Sequence, residues 1–140
     1  MHRAYVNSAA IAVYRALVAG VVGVILLLSP PAPAAEWTPF TPDAFAAAQE
    51  AGKPILVDVF AVWCGVCRAQ NPILTQLTRE PKYKDLVVFK VDFDKQKDVA
   101  RALNVRSQST LIVYKGETEL DRSVGDTSAL SIEGLLDKTL

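Results

Sequence analysis

The sequence predicts an α/β domain, a central mixed β-sheet flanked by helices, on three observations. Short apolar runs rich in β-branched residues, at 54–61, 86–94 and 110–114, alternate with segments whose apolar residues recur at helical spacing. The chain then closes on a tight turn, Lys115-Gly116-Glu117, into a last strand near Leu120 to Val124 and a terminal helix. Finally, the only two cysteines of the 140 residues stand together in Trp63-Cys64-Gly65-Val66-Cys67, where a strand gives way to a helix.

The chain opens with His2, Arg3 and Arg15, an apolar stretch from Ala16 to Leu28, and Ser29-Pro-Pro-Ala-Pro-Ala-Ala35. Basic start, hydrophobic middle and small-residue end predict a secretory signal over 1–34, cleaved at Ala32-Pro33-Ala34. The rival is an uncleaved membrane anchor over 11–28; the uncharged run after Arg15 is shorter than the roughly 20 residues that span a bilayer. Residues 35–140 remain as one domain with 13 Lys/Arg against 15 Asp/Glu. No basic tract suggests nucleic acid. The single histidine, His2, lies in the export segment, so the domain alone cannot build a four-ligand Cys/His zinc site. No second cysteine pair is present to staple an exported fold, and the one pair is free for turnover.

Taken in order, Glu36 to Phe40 reads as a lead-in without periodicity. Thr41-Pro42-Asp43 supplies an N-cap, a proline at N1 and an acid in the first turn of a helix reaching about Ala51, with Ala44, Phe45 and Ala48 inward and Gly52 as its end. Pro54 to Ala61 is a buried strand. A helix follows, with Ile73, Leu74 and Leu77 inward and Pro72 expected to kink it. Pro81 stops that helix, and Lys82 to Asp85 reads as exposed linker. Leu86 to Asp94 is a strand and Lys95 to Leu103 a charged helix, with Val99, Ala102 and Leu103 inward and Asn104 as its cap. Thr110 to Tyr114 is a strand by β-branched content. Thr127 caps the last helix, Ser128 to about Lys138, with Leu130, Leu135 and Leu136 inward and Ile132 at the margin.

Two thiols three positions apart can close a small ring and pass between dithiol and disulfide unaided. At a helix N-terminus the unpaired N–H groups and the positive end of the helix dipole favour a thiolate over a thiol. Cys64, first and at the helix mouth, is therefore expected to be the exposed nucleophile of lowered pKa, with Cys67 shielded one turn further in. A structural disulfide is the alternative, but so short a loop removes little entropy from the unfolded chain. Asp58 stands among Val57, Val59 and Phe60, where desolvation raises a carboxyl pKa and suits a group that holds and releases a proton; otherwise it is hydrogen-bonded at the solvent edge of its strand.

Val57 through Arg68, with Pro72 five residues after Cys67, resembles the active-site segment of the thioredoxin family, and the resemblance extends from about Phe40 to Leu140. It implies the thioredoxin fold. It implies that Asp58 accepts the proton of Cys67 and that Lys90 pairs with Asp58, where a surface lysine is the plainer reading. It also implies that Trp63 and Gly125 border a docking groove in which Gln108 and Ser109 offer backbone hydrogen bonds. Ser109 departs from the family, which carries a cis-proline facing the cysteines. A non-proline cis bond costs about 2.5–4 kcal/mol, so a trans Ser109 is expected, with its hydroxyl able to reach a sulfur and partner choice narrowed.

The function expected is a thiol-disulfide oxidoreductase reducing protein disulfides outside the cytoplasm, without a cofactor or resident metal and as a monomer. An exported reductant needs electrons from a membrane donor of the DsbD type. Potentials in this fold span about 150 mV between thioredoxin and DsbA, and the absence of a histidine between the cysteines favours the reducing side. Two alternatives stay open: a module holding Cu(I) or an iron-sulfur cluster on the same cysteines, and an oxidising or isomerising exchanger.

Overall fold

The computed structural model describes residues 34–140; the signal or anchor expected over 1–34 falls almost wholly on residues 1–33, outside the described residues. Five strands form one mixed sheet in the order β1-β3-β2-β4-β5: β1 Glu36–Pro39, β2 Pro54–Phe60, β3 Val87–Asp92, β4 Thr110–Lys115 and β5 Thr118–Val124. β1 and β2 pair parallel to β3, while β2–β4 and β4–β5 are antiparallel. Among the described residues four helices flank it: α1 Pro42–Glu50, α2 Gly65–Leu77, α3 Lys97–Ala102 and α4 Ala129–Asp137. The expected class, a mixed sheet between helices, is what the chain adopts.

Alternation along the strands sorts the core into two layers. Leu56, Val88, Leu111 and Val113 point to one face and pack against Leu74 and Leu77 of α2 and Ile132, Leu135 and Leu136 of α4. Ile55, Val57, Val59, Phe89, Val91 and Ile112 point to the other, with Phe45 and Ala48 of α1 and Val99 and Ala100 of α3. Phe40, Phe45, Phe89 and Tyr114 interlock there through tilted and edge contacts between 5.1 and 5.8 Å. Thr41 caps α1 by accepting the Ala44 N–H at 3.2 Å, and Pro42 holds its first position.

Five expectations need correction. Glu36–Pro39 is an edge strand, not a lead-in, because its backbone finds β3, a partner fifty-one residues away. Tyr83 is buried core in a single 3₁₀ turn, Pro81–Tyr83, not exposed linker; its hydroxyl donates to Asp137 Oδ1 at 2.5 Å. In the last helix the N-cap is Ser128, one residue beyond Thr127; its hydroxyl accepts the Ser131 N–H at 3.3 Å. Ile132 is fully buried while Leu130 is 81% exposed, since two residues turn a helix by about 200° and only one of the pair can face the sheet. The same rotation leaves Ala102 of α3 exposed and buries Ala100, beside Val99 and Leu103. Asn104 follows that helix at φ +53°, the left-handed conformation expected of a residue closing a helix.

Candidate active site

The geometry starts at the end of β2. Six residues past Asp58 the chain turns, and Cys64 becomes the N-cap of α2, its Sγ accepting the Cys67 N–H at 3.1 Å. Cys64, Cys67, Gln70, Leu74 and Leu77 form the buried stripe of α2, so the helical period that seats the helix on the sheet also points both sulfurs inward. The two cysteines form a disulfide, with Cα atoms 5.3 Å apart.

Cys64 is not the exposed member of the pair: it is 3% accessible, against 8% for Cys67. The reason is local. Cys64 stands at the head of the buried stripe, and the Ser109 hydroxyl lies over it from the β4 approach, 3.1 Å from its Sγ and 3.4 Å from that of Cys67. Ser109 itself is buried, its peptide bonds are trans, and its backbone is left-handed at φ +61°. Proline, fixed near φ −65°, does not fit that backbone. The Ser109 carbonyl turns inward, accepting the Gly125 N–H at 2.9 Å and the Gln70 amide at 3.4 Å. Both acceptor positions of that carbonyl are used within the fold, and the neighbouring Gln108 carbonyl accepts the Ser107 hydroxyl at 3.1 Å.

Asp58 shares a strand face with Leu56 and Phe60, the face that α2 covers. It is 3% accessible, and burial is the dominant influence on its carboxyl, pushing the pKa up against the opposing pull of Lys90. Lys90 is its direct register partner on β3, and Nζ stands 2.8 Å from Asp58 Oδ2. The lysine also lies 4.6 Å from the centre of the Phe60 ring and 5.4 Å from that of Trp37. A surface cleft of about 380 Å³ has Phe60, Ala61, Cys67, Arg68 and Lys90 among its walls, so the lysine head and Cys67 open onto one solvent-accessible space.

Trp63 is exposed, and its indole N–H donates to Asp94 Oδ2 at 2.8 Å. Val62, Val66 and Val124 are likewise exposed apolar residues: Val62 shares the cleft with Cys67, Val66 stands between the two cysteines in the chain, and Val124 precedes Gly125. Gly125, across the site, sits at φ +72° with open space where a Cβ would be, so backbone conformation rather than crowding calls for glycine.

Two residues of the site escaped sequence reasoning. Asp94 tethers Trp63, and Gln70 pins the Ser109 loop to α2, its amide donating to the carbonyls of Asp126 at 2.8 Å and Ser109 at 3.4 Å. A glutamine on the apolar stripe of a helix was the available signal for Gln70; Asp94 gave none. Among the described residues no group of three or more His, Cys, Asp or Glu is placed to hold a metal ion.

The thioredoxin family model matches residues 36–138. A thioredoxin H-type of Brassica campestris is 43% identical over 79 residues, which is 56% of this chain and 63% of that protein, so the chain spans less than two thirds of that relative's length. The thioredoxin of Coprinus comatus is 33% identical over 98 residues, 70% of this chain and 92% of its own. The crystal structure of Trxlp from Edwardsiella tarda EIB202 matches with a TM-score of 0.71 at 44% identity, covering 72% of this chain and 98% of that one. With Cys-x-x-Cys at the head of α2 and the family match running through nearly the whole described domain, the chain belongs to the thioredoxin family.

Proposed function

We propose that the protein is a thiol-disulfide oxidoreductase that reduces disulfides of protein substrates outside the cytoplasm. The observation that carries this reading is the Cys64–Cys67 disulfide closed across the first turn of α2, with a backbone N–H already directed at Cys64 Sγ. In the reduced protein that N–H and the helix dipole favour a Cys64 thiolate. The thiolate attacks one substrate sulfur; the Cys64–substrate bond forms as the substrate S–S bond breaks, and the departing thiolate takes a proton from solvent. Cys67 then loses its proton to Asp58, whose raised pKa suits it to accept. The Cys67 thiolate attacks Cys64 Sγ, closing the internal disulfide and releasing the second substrate sulfur. Two electrons pass to the substrate, and a dithiol donor restores the pair.

Lys90 moderates the charge that develops on Asp58 and opens the way to solvent through the cleft it shares with Cys67. The exposed side chains of Val62, Trp63, Val66 and Val124 offer an apolar docking face to an extended substrate strand. Export by residues 1–34 and a membrane donor of the DsbD type complete the reading, with the protein acting as a monomer. The test is a disulfide-reduction assay with a small dithiol as electron source. Cys64→Ser should abolish turnover, and Cys67→Ser should accumulate a mixed disulfide through Cys64. Equal, slow alkylation of both cysteines in the reduced protein, with no acidic titration step, would overturn the assignment.

A further inference from the structure

The placement of Ser109 goes further than the general reading of the site. Its hydroxyl lies 3.1 Å from Cys64 Sγ and 3.4 Å from Cys67 Sγ. In a disulfide neither sulfur carries hydrogen, so the hydroxyl is the donor in both contacts. We infer that Ser109 is the side-chain hydrogen-bond donor to the Cys64 thiolate, a catalytic residue that raises the fraction of Cys64 ionised in the reduced protein and makes the cysteine pair more oxidising. The inference rests on the redox reading of the pair given above and names a group that reading does not need.

Three features make the hydroxyl a built donor rather than a passing contact. Ser109 is buried, so the hydroxyl has little competition from water. Its left-handed backbone is a conformation that a serine adopts only at a cost, and that backbone is what turns the side chain over the sulfurs. The backbone is also held from two other elements: Gly125 after β5 and Gln70 on α2 both donate to the Ser109 carbonyl, and the same Gln70 amide reaches Asp126. Because α2 carries Cys64, Cys67 and Gln70, the hydroxyl and the sulfurs are held in register by one helix.

A hydrogen bond to an ionised sulfur is stronger than one to a neutral thiol or a disulfide. The hydroxyl therefore favours the thiolate over both, lowering the Cys64 pKa and stabilising the dithiol state relative to the disulfide. Since it reaches both sulfurs, it can also follow the negative charge from Cys64 to Cys67 during the second displacement. Other charged groups around the pair are Arg68 on α2, the Asp58–Lys90 pair behind Cys67, and Asp94 held by Trp63. None of them is hydrogen-bonded to Ser109, so a shift on its replacement reads the hydroxyl.

The experiment uses Ser109→Gly, which keeps the left-handed backbone without strain and removes only the side chain, with Ser109→Thr as the conservative variant that restores a hydroxyl. In each reduced protein the Cys64 thiolate is titrated by its ultraviolet absorbance and by the pH dependence of alkylation, and the pair is equilibrated against glutathione. Ser109→Gly should raise the apparent Cys64 pKa by about one unit, a tenfold loss of thiolate well below the pKa. It should also shift the glutathione equilibrium about tenfold toward the disulfide, equivalent to about 30 mV more reducing. Ser109→Thr should recover most of both. If Ser109→Gly leaves titration and potential unchanged while circular dichroism shows an intact fold, or if Ser109→Thr behaves as the glycine variant, the inference fails. These readouts are independent of turnover, so a wild-type protein that titrates as expected but reduces no protein disulfide sinks the functional reading alone.

Discussion

Asp58→Asn should make the protein more stable at neutral and alkaline pH, and the gain should vanish in acid. The carboxyl is 3% accessible, and burial raises its pKa above the ordinary 3.8 in spite of Lys90. A group whose native pKa is raised binds its proton more tightly in the folded than in the unfolded chain. Its contribution to stability is therefore complete below 3.8 and is lost as pH climbs from there through the raised native value. Each unit of elevation is worth about 1.4 kcal/mol. Asparagine keeps the shape and removes the charge, and the lysine left behind is partly exposed on the cleft, so it can turn its head to water. Removing the charge relieves the cost of ionising a buried carboxyl, and because the lysine is not a fully buried orphan, a gain of about 1–2 kcal/mol is expected at pH 8. With urea slopes of about 1–3 kcal/mol per M, this moves the midpoint of the oxidised protein by roughly 0.3–2 M. Urea unfolding of wild type and variant from pH 4 to 9 checks it: a variant less stable at pH 8, or a difference flat with pH, would refute the account of Asp58 as a carboxyl ionised at a cost.

Four further outcomes follow from the fold. Ile132→Ala should cost about 2–5 kcal/mol in chemical denaturation, whereas Leu130→Ala, on the solvent side of α4, should stay within about 0.5 kcal/mol. Tyr83→Phe should cost about 1–2 kcal/mol by removing the hydroxyl that donates to Asp137, without changing the redox potential measured against glutathione. Gly125→Ala should cost about 1–2 kcal/mol for a left-handed non-glycine residue. Gly116→Ala should cost more in the same denaturation assay, because its Cβ would also stand 3.2 Å from the Gln49 carbonyl oxygen.

Local chemistry made much of the fold legible. Thr41-Pro42-Asp43 carries its own cap, and α1 begins where those residues place it. The runs at 54–61 and 110–114 are β-branched and apolar enough to be strands in any context, and both are central in the sheet. β1 was opaque because four residues containing Pro39 have no periodicity of their own and become a strand only by pairing with β3. The inward face of α4 was misjudged for a related reason. Its apolar residues run nearly around the axis, and which of Leu130 and Ile132 is buried depends on how the sheet meets the helix.

The site divides along the same line. Two cysteines three apart at a strand-to-helix junction announce dithiol chemistry, since ring closure and the helix terminus act over a few bonds, and an aspartate inside an apolar strand announces a perturbed carboxyl by burial alone. How accessible Cys64 is, where Lys90 points and what Ser109 does depend on residues far apart in the chain. Sheet register sets Lys90 beside Asp58. The fold of the loop before β4 brings a serine hydroxyl, forty-five residues from Cys64, onto both sulfurs. Short-range bonding and hydrophobic patterning are properties of a segment; the distance between a hydroxyl and a sulfur is a property of the packed whole.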